Sequence, residues 1–168
     1  MYPANWNQKV TLKSETEVYW YNDNDVLLGK GTTYSFYANS NVTIHTKAVG
    51  SVENIAPTTS IGYFDYDSTL NKVTVVNNFF VPDGKTVTEA GVILSTKNST
   101  VDALKKQTNG IFKGGPESFT STGNQIRISV SRTANTPFTM YVLAYVVVDG
   151  TTYYANEVKS INYTPKSA

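Results

Sequence analysis

Cysteine is absent from this 168-residue chain, and histidine occurs once. Without thiols there is no disulfide, no thiolate nucleophile and no zinc–thiolate site, and one imidazole cannot build a multi-histidine metal centre. A dominant charge is lacking too: 14 Lys and Arg stand against 13 Asp and Glu, a net +1 that offers no general field to draw nucleic acid or an anionic membrane. No run approaches the ~18 consecutive apolar residues of a membrane helix. The start Met1-Tyr-Pro-Ala-Asn-Trp6 lacks the basic and apolar regions of a secretory signal. The expectations are therefore no cofactor, no metal, no nucleic-acid partner and no membrane insertion. Location stays open between the cytosol and a piece excised from a longer secreted chain. The tail Asn162-Tyr-Thr-Pro-Lys-Ser-Ala168 reads like the start of a linker and favours the second.

What is plentiful is Thr, Asn and Ser, 23, 16 and 14 residues, beside 12 Tyr and 7 Phe. That is the composition of twisted, half-exposed strands joined by polar turns. Three matches to the glycosylation sequon, at Asn41, Asn98 and Asn162, are expected by chance in such a chain.

Period-2 alternation dominates. Val10 and Leu12, then Val18 and Trp20, read as the inner faces of two short strands, followed by the turn Asn22-Asp-Asn-Asp25. Tyr34 and Phe36 share a face of the next strand, and Val42, Ile44, Thr46 and Ala48 form the inner face of another. This predicts a small meander over 1–56. Gly50 to Ser60, with Pro57 and no periodicity, reads as a connector, so a second unit is expected over 57–168.

In that unit Ile61–Tyr66, Val73–Val81 and Thr86–Thr96 read as strands, with Pro82-Asp-Gly84 as a tight turn. Thr100 or Ser99 as N-cap, Asp102 in the first turn, and Val101 and Leu104 at helical spacing predict one helix of two or three turns. Gly110, Gly114 and Gly115 around Lys113 read as a flexible loop, since no Gly-Lys-Ser/Thr follows. Ile126, Ile128 and Val130 mark an edge strand with one wet face. Phe138–Val148 is apolar on both faces and is expected to be the most buried strand. Asp149-Gly150 is a strong hairpin signal, and Ile161-Asn-Tyr163 is read as crossing to another sheet. With no helical crossovers between strands, the fold class is all-β: a strand meander followed by an antiparallel sandwich with one short helix.

Two segments resemble modules of secreted and surface-anchored proteins of Gram-positive bacteria, especially gut Firmicutes. Lys9-Val-Thr-Leu-Lys13, Tyr19-Trp20, Thr33-Tyr-Ser-Phe-Tyr37 and Asn41-Val-Thr-Ile44 are similar to a short bacterial surface repeat. Val81-Pro-Asp-Gly84, Val87-Thr-Glu-Ala-Gly-Val-Ile-Leu94, Met140-Tyr-Val-Leu-Ala-Tyr145 and Asp149-Gly-Thr-Thr-Tyr-Tyr154 resemble an immunoglobulin-like or fibronectin type III-like module. Leu143 departs from that pattern, which has an Arg there. The resemblance implies a monomeric, extracellular, non-catalytic structural, spacer or adhesion module. Its partners would be neighbouring domains of a parent protein, and polysaccharide or a host or bacterial surface ligand.

The candidate chemistry is sparse. His45 is expected on a wet strand face with no role. Asp23 and Asp25, and Asp65 and Asp67, lie two apart as paired carboxylates can, but neither pair matches a calcium loop, and Asx turns explain both. An enzymatic role survives only if Asp65 and Asp67 face a cleft. A Lys–Asn isopeptide cross-link would need a buried carboxylate between its partners. Aromatics hold the most promise, because flat rings stack on sugar CH faces while amides bond the hydroxyls. Trp6, Tyr19, Tyr21 and Tyr37, with Asn5, Asn7, Asn22 and Asp23 nearby, are the candidate carbohydrate-binding residues. Trp20 facing inward would send Tyr19 and Tyr21 outward.

Overall fold

Wherever one face of a strand meets a core and the other meets water, side chains of period 2 sort themselves into inner and outer rows. The computed structural model describes residues 8–38, 41–51, 55–119 and 125–165, and it has three antiparallel sheets ordered by that rule. The N-terminal sheet comprises β1 (Gln8–Asn22), β2 (Leu27–Ala38) and β3 (Ile44–Ala48). Its spatial order is β2-β1-β3, not that of a sequential meander, because β3 returns to the far edge of β1. The two short strands expected at Val10–Leu12 and Val18–Trp20 are one long strand. A register shift between Lys13 and Val18 lets it keep its pairing with β2 through the irregularity. Of the inner row expected in β3 and the segment before it, only Ile44 joins the core; Val42, Thr46 and Ala48 are exposed.

β4 (Thr58–Asp67) begins directly after Pro57 and pairs with β5 (Lys72–Phe80), which pairs on its other edge with β8 (Gln125–Ser131). Facing them is a five-stranded sheet of β6 (Val87–Ser95), β7 (Ile111–Gly114), β9 (Phe138–Val148), β10 (Thr151–Tyr154) and β11 (Lys159–Tyr163). Val73 and Val75 of β5 meet Val92 and Leu94 of β6 and Met140 and Val142 of β9. Phe79 and Ile126 meet Ala90, Val146 and Val148 further along. Two sheets face to face over one apolar layer make this an all-β sandwich.

The apolar second face of β9 is explained by α1 (Val101–Lys105), whose Leu104 covers Ile93 and Leu143 on the outside of the sheet. The helix starts at the expected cap, with Thr100 Oγ1 accepting from the Ala103 N–H, but it is a single five-residue turn. Asp149 (φ 49°) and Gly150 (φ 79°) both adopt the left-handed conformation that a tight two-residue hairpin requires.

Two further expectations are corrected. The glycine-rich stretch after Gly110 is not all loop: Ile111–Gly114 is an edge strand, held by pairing to Ala90–Ile93 of β6 rather than by any alternation of its own. Nor does Ile161–Tyr163 change sheets. β10 and β11 lie end to end along the same edge of β9, interrupted at 155–158, and Ala155 N–H still bonds Ala144 O at 2.9 Å across the break.

Asn77 is fully buried inside the run Val73–Phe80. Its Nδ2 donates to Gly91 O at 2.8 Å and Tyr145 O at 3.0 Å, and its Oδ1 accepts from Thr59 Oγ1 at 2.6 Å. One amide thus ties both sheets together. Asn77→Ala is expected to lower stability by roughly 1–3 kcal/mol, because buried partners lose their bonds to it and no water replaces them. Urea denaturation reads this as a lower midpoint, while an unchanged midpoint would mean the tie contributes nothing.

Candidate functional site

The N-terminal sheet rests on the sandwich with both faces of β1 covered over Val18–Tyr21. On one face Val18 and Trp20 pack with Leu28 and Tyr34, and Leu12, Phe36 and Ile44 extend the cluster. Trp20, Tyr34 and Phe36 stack in a row, with centroids 6.2 Å and 5.9 Å apart, and Trp20 Nε1 donates to Gly31 O at 3.0 Å. On the other face Tyr19, Tyr21 and Leu27 pack with Phe80, the Tyr19 and Phe80 rings meeting edge to face at 6.4 Å. Thr58 Oγ1 donates to Leu27 O at 2.6 Å, and Lys30 meets Asp83 at 2.6 Å.

The expected outward patch is therefore corrected. Tyr19 is 7% and Tyr21 6% exposed. Alternation did place them opposite Trp20, but the face it assigned to water is the one that meets Phe80. Trp6, Asn5, Asn7 and the side chain of Tyr37 lie outside the described residues. Asn22 spends its Oδ1 on the N–H groups of Asn24 and Val26, as its turn requires.

Beside this seam the two units leave a cleft of about 450 Å³, within the ~300–1,000 Å³ of small-molecule sites. The N-terminal sheet and its turn contribute Asp23, Asn24, Leu28, Tyr34, Phe36 and Ile44. The sandwich contributes Ser60 to Asp65 from β4, Asn78 from β5, Gln125 from β8, and Glu157, Lys159 and Ser160 beside the break between β10 and β11. A bulge at Gly62 shapes the wall: a Cβ there would run into the Asn78 amide. Asn24 Nδ2 reaches Glu157 Oε1 at 3.5 Å across the rim.

Sequence reasoning missed the polar part of this wall. Ser60, Asn78 and Gln125 are all buried, and Gln125 Nε2 donates to Asn78 Oδ1 at 2.7 Å. Tyr34 Oη and Gln125 Oε1 are buried without a hydrogen bond of good geometry, although the two groups face each other from opposite units. A signal was available: two consecutive amides, Asn77-Asn78, interrupt an otherwise apolar strand, and such a break in the local rule marks a site or a tie.

The remaining candidates separate. Asp65 lines the cleft and accepts from Tyr63 Oη at 3.2 Å, and it shares a second, open hollow of about 600 Å³ with Asp67, Lys72 and Arg127, where Asp67 bonds the Thr69 and Leu70 N–H groups of its own turn. Asp25 takes His45 Nε2 at 2.9 Å and Lys47 Nζ at 3.0 Å, and His45 stacks on Tyr21. Hydrogen bonds from Lys47 and His45 hold Asp25 below the usual carboxylate range. Among the described residues no carboxylate is buried and no three His, Asp or Glu side chains gather as metal ligands. Comparison with protein-family models, curated proteins and solved structures finds no match to the chain.

Burial pushes the Tyr34 phenol well above its ordinary value, and the Gln125 amide offsets only part of this. A raised folded-state value means stability is fully present below the ordinary tyrosine pKa and is lost as pH rises past it, because the unfolded phenol ionises first. Stability is thus expected to hold up to the ordinary value near 10 and to fall continuously as pH rises beyond it toward the higher folded-state value. Tyr34→Phe is expected to flatten part of that loss in urea titrations, and an identical alkaline profile would refute the assignment.

Proposed function

We propose that this chain is a non-catalytic structural or adhesion module of a larger bacterial extracellular protein, its second unit an immunoglobulin-like or fibronectin III-like sandwich. The observation that carries the reading is the buried seam: Tyr19, Leu27, Phe80 and Thr58 join the N-terminal sheet to the sandwich, which supports a joint that holds the two units together. A fixed joint suits a part that sets distance or presents a surface. The carboxylates whose acidity departs from the ordinary point the same way. Asp149 is held low by the Thr86 N–H and Lys85. Partial burial works against ionisation of Glu89, but bonds from Lys113 and Tyr145 outweigh it. A general acid working near neutral pH needs the opposite shift. The motif resemblance supplies the extracellular setting, and the rival sugar site on exposed strand aromatics loses Tyr19 and Tyr21 to the seam.

The test is replacement in the parent gene. An antibody to the segment is expected to label intact cells or the culture medium, and an unrelated rigid β-sandwich of equal length is expected to restore function if the role is spacing but not if it is adhesion. Labelling confined to the cytosol would overturn the reading.

The joint itself is testable. In Tyr19→Ala combined with Phe80→Ala, amide relaxation is expected to split into two rotational correlation times, where the parent gives one.

A further inference from the structure

We propose that the cleft between the N-terminal sheet and the sandwich binds a short, uncharged saccharide, with Tyr34 and Gln125 as its inner hydrogen-bonding pair and Phe36 as its stacking ring. Three observations converge. The wall alternates flat rings with amides and hydroxyls: Phe36 and Tyr63 beside Ser60, Asn78 and Gln125. That is the surface a polyhydroxylated ring needs, with CH faces on aromatics and hydroxyls on groups that both donate and accept.

Charge favours a neutral ligand. The lining holds the carboxylates of Asp23, Asp65 and Glu157 against the single ammonium of Lys159, which already pairs with Glu157 at 2.9 Å. An anionic ligand would meet net repulsion, and the buried part of the wall is made of neutral groups.

The third observation is the pair of unmet polar atoms. Tyr34 is 6% and Gln125 3% exposed, yet among the described residues neither Tyr34 Oη nor Gln125 Oε1 has a hydrogen bond of good geometry, the phenol and the amide only facing each other. Buried groups of this kind are ordinarily satisfied, and a hydroxyl inserted between them would accept from the phenol and donate to the amide oxygen. Because Tyr34 belongs to one unit and Gln125 to the other, such a ligand also fastens the seam, so binding raises the unfolding temperature.

The experiment is a glycan array of neutral glucose-, galactose-, mannose- and N-acetylglucosamine-based saccharides with sialylated and sulfated members beside them, followed by calorimetry on the best neutral binder. Retention of neutral members is expected, with a higher unfolding temperature in their presence. Affinity is expected to fall at least about tenfold in Phe36→Ala and in Gln125→Leu, a change of about 1.4 kcal/mol or more. If either variant fails to fold, amide shift perturbation in the parent protein replaces it and is expected to centre on Tyr34, Asn78 and Gln125. No retained neutral saccharide, a preference for anionic members, or perturbations centred elsewhere would overturn the assignment. The structural reading fails separately, through location, so the two results are distinguishable.

Discussion

A primary amide with no access to water must find every partner in protein, and Asn77 finds one in its own sheet and two in the sheet opposite. Apolar packing between the sheets is broad but weakly directional, since Val73 or Val75 can slide along a row of valines at little cost. Bonds to Gly91 O and Tyr145 O cannot slide. They set how β5 lies across β6 and β9, and everything carried by β5 inherits that setting: β4 and β8 on its edges, Phe80 at its end, and Asn78 facing the cleft.

Phe80 passes the setting on to the N-terminal sheet. A sheet of three strands buries too little to stand comfortably alone. Here the middle strand is covered twice, by its own Trp20–Tyr34–Phe36 row on one face and by Phe80 on the other. Contact along one side of the N-terminal sheet, with a gap left on the other, is what creates the cleft. Its walls come from residues that no single stretch of sequence brings together.

The period-2 rows made much of the sandwich readable. The edge strand Ile126–Val130, the doubly apolar Phe138–Val148, the Asp149-Gly150 hairpin and the Thr100 cap are all local signals, and each appears where its chemistry points. What escaped was decided by partners. Ile111–Gly114 has no strand rhythm and is extended only because β6 offers its edge. Tyr19 and Tyr21 sit opposite Trp20 as alternation requires, but periodicity cannot say what covers the second face. The cleft was legible only in outline. Asn77-Asn78 stood out as amides in an apolar run, whereas Tyr34 and Gln125 lie 91 positions apart and meet only because the two units dock.

The break at 155–158 between β10 and β11 has a consequence beyond supplying part of the cleft rim. A long, flat strand border with free backbone groups invites another chain to add on, and border strands that are short, bulged or charged resist this. Each border of the sandwich is blunted in one of these ways. β10 and β11 are an interrupted pair, β7 has four residues, β4 is bent at Gly62 and ends in Asp65 and Asp67, and β8 carries Arg127 on its wet face. The sandwich of a chain so rich in strand-forming Thr, Tyr and Val thereby offers another chain no long, flat border to extend.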